Sequence, residues 1–279
     1  MINTNRRDGF YHRIVSVTET TLWVEYQKIR HSKILWITTV AILFITLICG
    51  LFMYILKDPD QARRLGLLGA KAQIFGGIAD WANFFNLILT IISMAGLVIF
   101  GFIFVWIFGR EFSNKTVNDF LSLPTTRTDI VLAKITTAAI WSMALILIVF
   151  IFILIIGVIL DLPGGSPEII LDGLTKMIIT GLLSIPLCIP FGLVASATRG
   201  YLPSVGCIFL VIILVQVIDT LGHGVYFPWS IPALYSGAAE ALTGIESATP
   251  GFISYTLVIL VGIVSLVLLR SWWRNADQI

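Results

Sequence analysis

Residues 109–134 read GREFSNKTVNDFLSLPTTRTDIVLAK. The stretch holds seven charged residues and lies between two long apolar runs, Phe84–Phe108 and Ile135–Leu160. A bare connection between two helices needs only a few residues, so this length and composition imply a structured element. Ser113 or Asn114 can cap a helix start, and Pro124 stops that helix. Val117, Phe120 and Leu121 fall at i, i+3 and i+4, which makes a short apolar face on an otherwise polar helix. Thr126-Arg127-Thr128-Asp129 then has the pattern of a capping box that begins the next helix. The layout is helix, stop, new helix. Three apolar side chains are too few for a core and suit docking into a groove on another protein. Arg127 in a first helical turn opposes the helix dipole, which predicts a separate use for its charge, such as a lipid phosphate or an acidic partner.

The rest of the chain sets the environment of this segment. Its 279 residues are 57% hydrophobic and only 12% charged, with a mean hydropathy of +0.95. Soluble domains carry roughly twice that charge density, so lipid is the solvent for most of the chain. A helix crosses the bilayer core with about 20 apolar residues. Six runs meet or approach that length: Ile34–Leu56, Phe84–Phe108, Ile135–Leu160, Met177–Thr198, Leu202–Leu221 and Phe252–Leu269. The expected fold is an all-α polytopic membrane protein with six transmembrane helices. It divides into an N-terminal arm (1–33), a six-span domain (34–270) and a short tail (271–279). The first apolar run starts too late and runs too long for the core of a signal peptide, so it reads as a retained span.

Charge asymmetry orients the spans. Thirteen of the 18 Lys and Arg residues fall on one face: six in the arm, then Arg110, Lys115, Arg127, Lys134, Arg199, Arg270 and Arg274. This predicts both termini in the cytoplasm and residues 109–134 on the cytoplasmic side. Lys57, Arg63, Arg64 and Lys71 run against the bias in the first outer loop. Before the first span, Val15, Leu22, Tyr26 and Ile29 share one helical face, with Trp23, Lys28, Arg30 and Lys33 around it. Such a segment rests at headgroup level with its cations on lipid phosphates, or forms a short soluble cap on the bundle.

A Glu closing the second span, a polar helix, Leu-Pro, an Arg and a Lys at the foot of the third span together resemble the type-2 ABC exporter permeases. The matching residues are Glu111, Asn114-Lys115-Thr116, Leu123-Pro124, Arg127 and Lys134. The likeness extends to the pre-span helix, the six spans and the broken connection before the last span. There Tyr226-Phe227-Pro228-Trp229-Ser230-Ile231-Pro232-Ala233-Leu234-Tyr235 is similar to permeases of bacitracin and lantibiotic export or immunity. The resemblance implies a cytoplasmic coupling helix between spans two and three that docks on a separate ATP-binding-cassette ATPase. Glu111, Val117, Phe120, Leu121, Pro124 and Arg127 would carry that coupling. It also implies a second permease copy, identical or similar, a plasma-membrane location, and export of an amphipathic or hydrophobic substrate such as a peptide antibiotic, drug or lipid.

The sequence has no Gly-x-x-x-x-Gly-Lys-[Ser/Thr] phosphate loop, so ATP and Mg are expected on the partner and no cofactor in this chain. Cys49, Cys188 and Cys207 lie in apolar runs without paired spacing, which suggests neither a disulfide framework nor a metal site. His12, His31 and His223 have no catalytic companions in sequence, and no catalytic residue is expected. Pro186 and Pro190 interrupt the fourth span, marking either a pathway-lining kink or a packing kink. Gln216 and Asp219 lie in the outer part of span five, where Asp219 either reaches water or serves a proton-driven secondary transporter. Residues 222–251 are too apolar for a floppy loop and too broken for a span. They suggest re-entrant half-helices in which Tyr226, Trp229 and Tyr235 line an outer gate, or act as interfacial anchors. A non-transporting membrane sensor or scaffold using the same cytoplasmic helix is the third reading.

Overall fold

The computed structural model describes residues 21–58, 78–113, 126–237 and 249–275. All the regular structure there is helical. Residues 21–30 form α1, and the chain turns at His31-Ser32 into α2 (Lys33–Lys57). Then follow α3 (Trp81–Ser113), α4 (Arg127–Ile159), α5 (Pro167–Ala197) and α6 (Leu202–Thr220). Two 3-10 turns, Gly224–Tyr226 and Pro228–Ser230, lead into the short α7 (Ile231–Ser236), and α8 (Phe252–Asn275) closes the described chain. Helices α2, α3, α4, α5, α6 and α8 are each long and apolar enough to cross a membrane. They alternate in direction, so the ends of α1, α3, α5 and α8 gather at one end of the bundle, the base. The other end, the crown, holds α7 and the turns before it.

Helices α3, α4 and α5 overrun the apolar runs that announce them. At 1.5 Å per residue, the 33-residue α3 and α4 are each about 50 Å long, some 20 Å more than a bilayer core. At the base, residues 109–113 and 127–134 extend both helices beyond the apolar stretches. The fourth span begins at Pro167, ten residues before the apolar run at Met177, and projects at the crown. Ser166 caps it by accepting a hydrogen bond from the Ile169 amide at 3.3 Å, and Pro167 occupies a position where no amide is needed. Thr126 caps α4, its hydroxyl accepting from the Asp129 amide at 3.2 Å, as the capping pattern predicts.

Because lipid is as apolar as Leu, packing rather than water exclusion holds such a bundle together, and small residues allow close approach. α3 is the most enclosed span; Phe84, Phe100, Phe104 and Phe108 are fully buried along it. Its most extensive partner is α5, which runs parallel to it. A Cβ added at Gly173 would meet the Phe85 ring at 2.5 Å, and one at Gly192 would meet Phe108 at 2.7 Å. At Gly181 an added Cβ would overlap Ile146 of α4. Pro186 and Pro190 lie inside α5, which remains helical through both. α8 packs there through Gly262, whose added Cβ would fall 2.7 Å from Pro186. At the crown, the Lys57 ammonium donates to the carbonyls of Leu160 and Asp161, at 2.5 and 2.9 Å, where α4 ends. A cation at a helix C-terminus is favourable, and this gives one of the four discordant cations a structural task. The other three, Arg63, Arg64 and Lys71, lie outside the described residues.

Candidate functional site

The base of the bundle contains a buried cluster of four charges from three helices. Glu25 and Lys28 come from α1, Glu111 from the last turn of α3, and Lys134 from the second turn of α4. Glu25 is 2% exposed, Glu111 1% and Lys134 0%. The Lys134 ammonium donates to Glu111 Oε1 at 2.8 Å, to the Ile107 carbonyl at 3.1 Å and to Glu25 Oε2 at 3.5 Å. Lys28 donates to Glu25 Oε1 at 2.8 Å and to Glu111 Oε1 at 3.1 Å. Two carboxylates and two ammoniums leave the cluster formally neutral, the condition under which charges persist away from water. Burial lowers the Lys28 pKa from its ordinary value; the carboxylates of Glu25 and Glu111 oppose that shift and Lys134 adds to it. Glu111 Oε2 is buried without a hydrogen-bond partner, so both ammoniums converge on the other oxygen.

A second set of contacts ties α4 to α8 beside this cluster. Arg127 Nη1 donates to the carbonyls of Trp273 and Arg274, at 3.1 and 3.0 Å. The guanidinium thus sits at the C-terminal end of α8, where the negative end of that dipole offsets its unfavourable place at the start of α4. The structure gives its charge this use within the chain. Arg270 Nε donates to the Thr128 hydroxyl at 3.1 Å, and the Trp273 indole donates to the Ser196 hydroxyl at 3.1 Å. Phe112 packs edge-on against both Trp272 and Trp273. The two helices that lead into and out of residues 114–125 are therefore fastened to α1, α5 and α8 at their roots. Of the sequence-selected coupling residues, Glu111 and Arg127 belong to these contacts. Val117, Phe120, Leu121 and Pro124 lie outside the described residues.

Glu25 and Trp273 were not singled out by the sequence reading, and Lys28 was placed only among the cations around the apolar face of α1, for lipid phosphates. One signal was present: Glu25 falls three residues after Leu22 and four before Ile29, on the apolar face of α1. A carboxylate on such a face needs a buried partner. Lys28, three residues on, supplies one such partner at 2.8 Å; nothing local identifies the second, since Lys134 is 109 positions away.

At the crown, the structure brings some sequence-selected residues together and separates others. The Trp229 indole donates to the Leu187 carbonyl at 3.0 Å, between Pro186 and Pro190 in the chain. Leu187 lies ten residues from the base end of α5, well inside the bundle. Asp219 Oδ1 is buried without a hydrogen-bond partner, over Gly224, where no Cβ would fit. Gln216 and Tyr226 are on the exposed surface, apart from these contacts. Tyr235 is half-buried in α7, and burial raises its pKa. Among the described residues, no group of three or more His, Cys, Asp or Glu is arranged to hold a metal ion. Cys49, Cys188 and Cys207 are free thiols.

Comparison with known proteins adds two findings. The model of a family described as "ABC-2 family transporter protein" matches residues 21–216, from α1 through most of α6. The bacitracin transport permease protein BCRB of Bacillus licheniformis is 28% identical over 144 residues, covering 51% of this chain and 68% of that protein. The family match spans all four members of the buried charge cluster.

Proposed function

The chain belongs to the ABC-2 transporter family, and from that premise we propose that it couples ATP hydrolysis on a separate ATPase subunit to export of an amphipathic or hydrophobic substrate. The observation that carries this reading is the buried cluster of Glu25, Lys28, Glu111 and Lys134 at the roots of α3 and α4. Residues 114–125 leave one of these helices and enter the other, so a push on that segment reaches both roots together. Lys134 bonded to Glu111 transmits displacement of α3 to α4, and Glu25 and Lys28 carry α1 with them. In this reading ATP and Mg reside on the partner, which closes on nucleotide and presses on the segment through Val117, Phe120 and Leu121. Two permease copies, or one and a similar partner, would enclose the pathway. Both termini would face the cytoplasm, and α1 would lie along that membrane surface.

The crown would form the outer gate. The Trp229 bond to Leu187 supports a re-entrant path for residues 222–237, because an indole serving only as a surface anchor would not reach that depth of α5. The likeness to a bacitracin transport permease favours a peptide antibiotic as substrate class, with drugs and lipids sharing the same chemistry.

The test is Glu111→Gln in the complex with the ATPase, assayed in sealed vesicles. ATP hydrolysis should persist while substrate transport falls at least tenfold, since a charge-assisted bond in the transmission path is lost and the partner surface is not. Loss of hydrolysis and transport in equal proportion would place Glu111 outside the coupling path. The unpartnered Oδ1 of Asp219 favours a second reading, proton-driven transport. Asp219→Asn separates the two: it would abolish transport driven by a proton gradient and leave ATP-driven transport in place.

A further inference from the structure

A groove opens beside the charge cluster, where α1 lies across the foot of α4 and the start of α2. Its volume is about 470 Å³, within the range of roughly 300–1,000 Å³ typical of small-molecule pockets. Leu22, Tyr26, Ile29, Leu35, Ile140 and Trp141 provide most of its wall. Trp141 turns its indole N–H to the Thr38 hydroxyl at 3.1 Å, so the wall offers apolar ring surface rather than an unsatisfied donor. Arg30 is the charged member of the lining and is exposed; among the described residues no ion pair or hydrogen bond engages its guanidinium. From Thr136 to Trp141 the α4 side of the groove runs about 7.5 Å along the helix, from two threonines into the apolar run. The lining thus combines one cation with a largely apolar wall.

We propose that this groove binds an anionic phospholipid of the leaflet in which α1 lies, with one acyl chain against Ile140 and Trp141 and the phosphate on Arg30. Volume, apolarity and charge fit that occupant: a largely apolar groove with Ile140 exposed on a membrane span and, among the described residues, an unpaired guanidinium in its lining. Trp23 and Tyr26, both exposed on α1, supply the aromatic rings that favour headgroup level. Ile29 and Thr137 line the groove within three residues of Lys28 and Lys134, so a bound chain wedges α1 against α4 beside the cluster that fastens them. The lipid thereby sets how firmly α1 is held at the coupling end. This rests on α1 lying at the membrane surface.

Native mass spectrometry of the detergent-purified full chain, titrated with phosphatidylglycerol or with phosphatidylcholine of the same chains, tests the site. The wild type should retain one phosphatidylglycerol about fivefold more tightly than phosphatidylcholine, the discrimination expected of one cation near a membrane surface. Arg30→Gln should erase that preference, and Ile140→Trp, which fills the groove from its lipid side, should weaken both lipids. Arg199→Gln, a cation at the base but outside the groove, should change neither. An undiminished preference in Arg30→Gln, or an equal loss in Arg199→Gln, overturns the proposal by making the effect one of general surface charge. Unchanged binding in Ile140→Trp also overturns it, and means that residues 1–20 or a second copy of the chain fills the groove. The ATPase is absent from the measurement, so a negative result leaves the coupling reading to its own test.

Discussion

The charge cluster permits a double-mutant cycle whose outcome follows from its geometry. Opposite unit charges at the 2.8 Å separation of Lys134 and Glu111 attract by about 6 kcal/mol at an effective dielectric of 20. Removing each ion from water costs several kcal/mol, so the pair as a whole contributes little net stability. Breaking it from one side is different. Lys134→Met leaves two buried carboxylates sharing Lys28, and Glu111→Gln leaves two ammoniums sharing Glu25. Each single substitution should cost about 3–5 kcal/mol, the penalty of an uncompensated buried charge. The double substitution restores neutrality and keeps the Lys28–Glu25 contact at 2.8 Å. It should cost no more than the milder single, giving a coupling energy of at least about 3 kcal/mol, at or above the upper end for residues in contact. Reversible unfolding of the purified chain by SDS in mixed micelles, followed by helicity, measures all four corners. If the two single effects add to within about 0.5 kcal/mol of the double, Glu111 and Lys134 do not interact as described and the account of the cluster is refuted.

Three further outcomes are expected. In a background lacking Cys49, Cys188 and Cys207, a cysteine replacing Asn118 should react with an impermeant maleimide only from the cytoplasmic side, and one replacing Glu168 only from outside; reaction of both from one side would end the six-span topology. Phe120→Ala should leave folding and insertion unchanged and weaken ATPase association roughly ten- to a hundredfold, as loss of a buried aromatic worth about 1.5–3 kcal/mol requires; a pull-down titration would detect it, and normal association would remove Phe120 from the docking face. Gly192→Ala should destabilise the bundle by about 1–3 kcal/mol because its Cβ would meet Phe108 at 2.7 Å, whereas Gly206→Ala, which has open space around it, should be neutral or slightly stabilising in the same unfolding assay.

The six spans were legible because a membrane span is a local property: about 20 apolar residues in a row suffice to mark it. The Thr126 cap was legible for the same reason, since its partner is three residues away. The early start of α5 was missed although its signals were present. Ser166-Pro167-Glu168 is a helix opening, but Glu168, Asp172, Thr175 and Lys176 interrupt residues 167–176, which therefore fall outside an apolar run. The base contacts were illegible in a different sense. Glu25 meets Lys134, and Arg127 meets the carbonyls of Trp273 and Arg274, only after the helices have packed. Arg127 was recognised as a charge in an unfavourable place, which was correct. The remedy was a helix end 146 residues downstream, which no local pattern can specify.

The glycines of α5 limit how the bundle can move. Gly173, Gly181 and Gly192 act as notches along one shaft, each seating a side chain of α3 or α4. Turning α5 about its own axis, or sliding it by part of a turn, would drive backbone against Phe85, Ile146 and Phe108 at once. Tilting does not, provided α3 tilts with it. The pair therefore behaves as one rigid beam, with Glu111 near its foot and the Leu187 carbonyl, which holds Trp229, farther along it. A small angular displacement of the foot becomes a lateral displacement of the crown in proportion to distance along the beam, and three missing side chains are what lock the two helices into that beam.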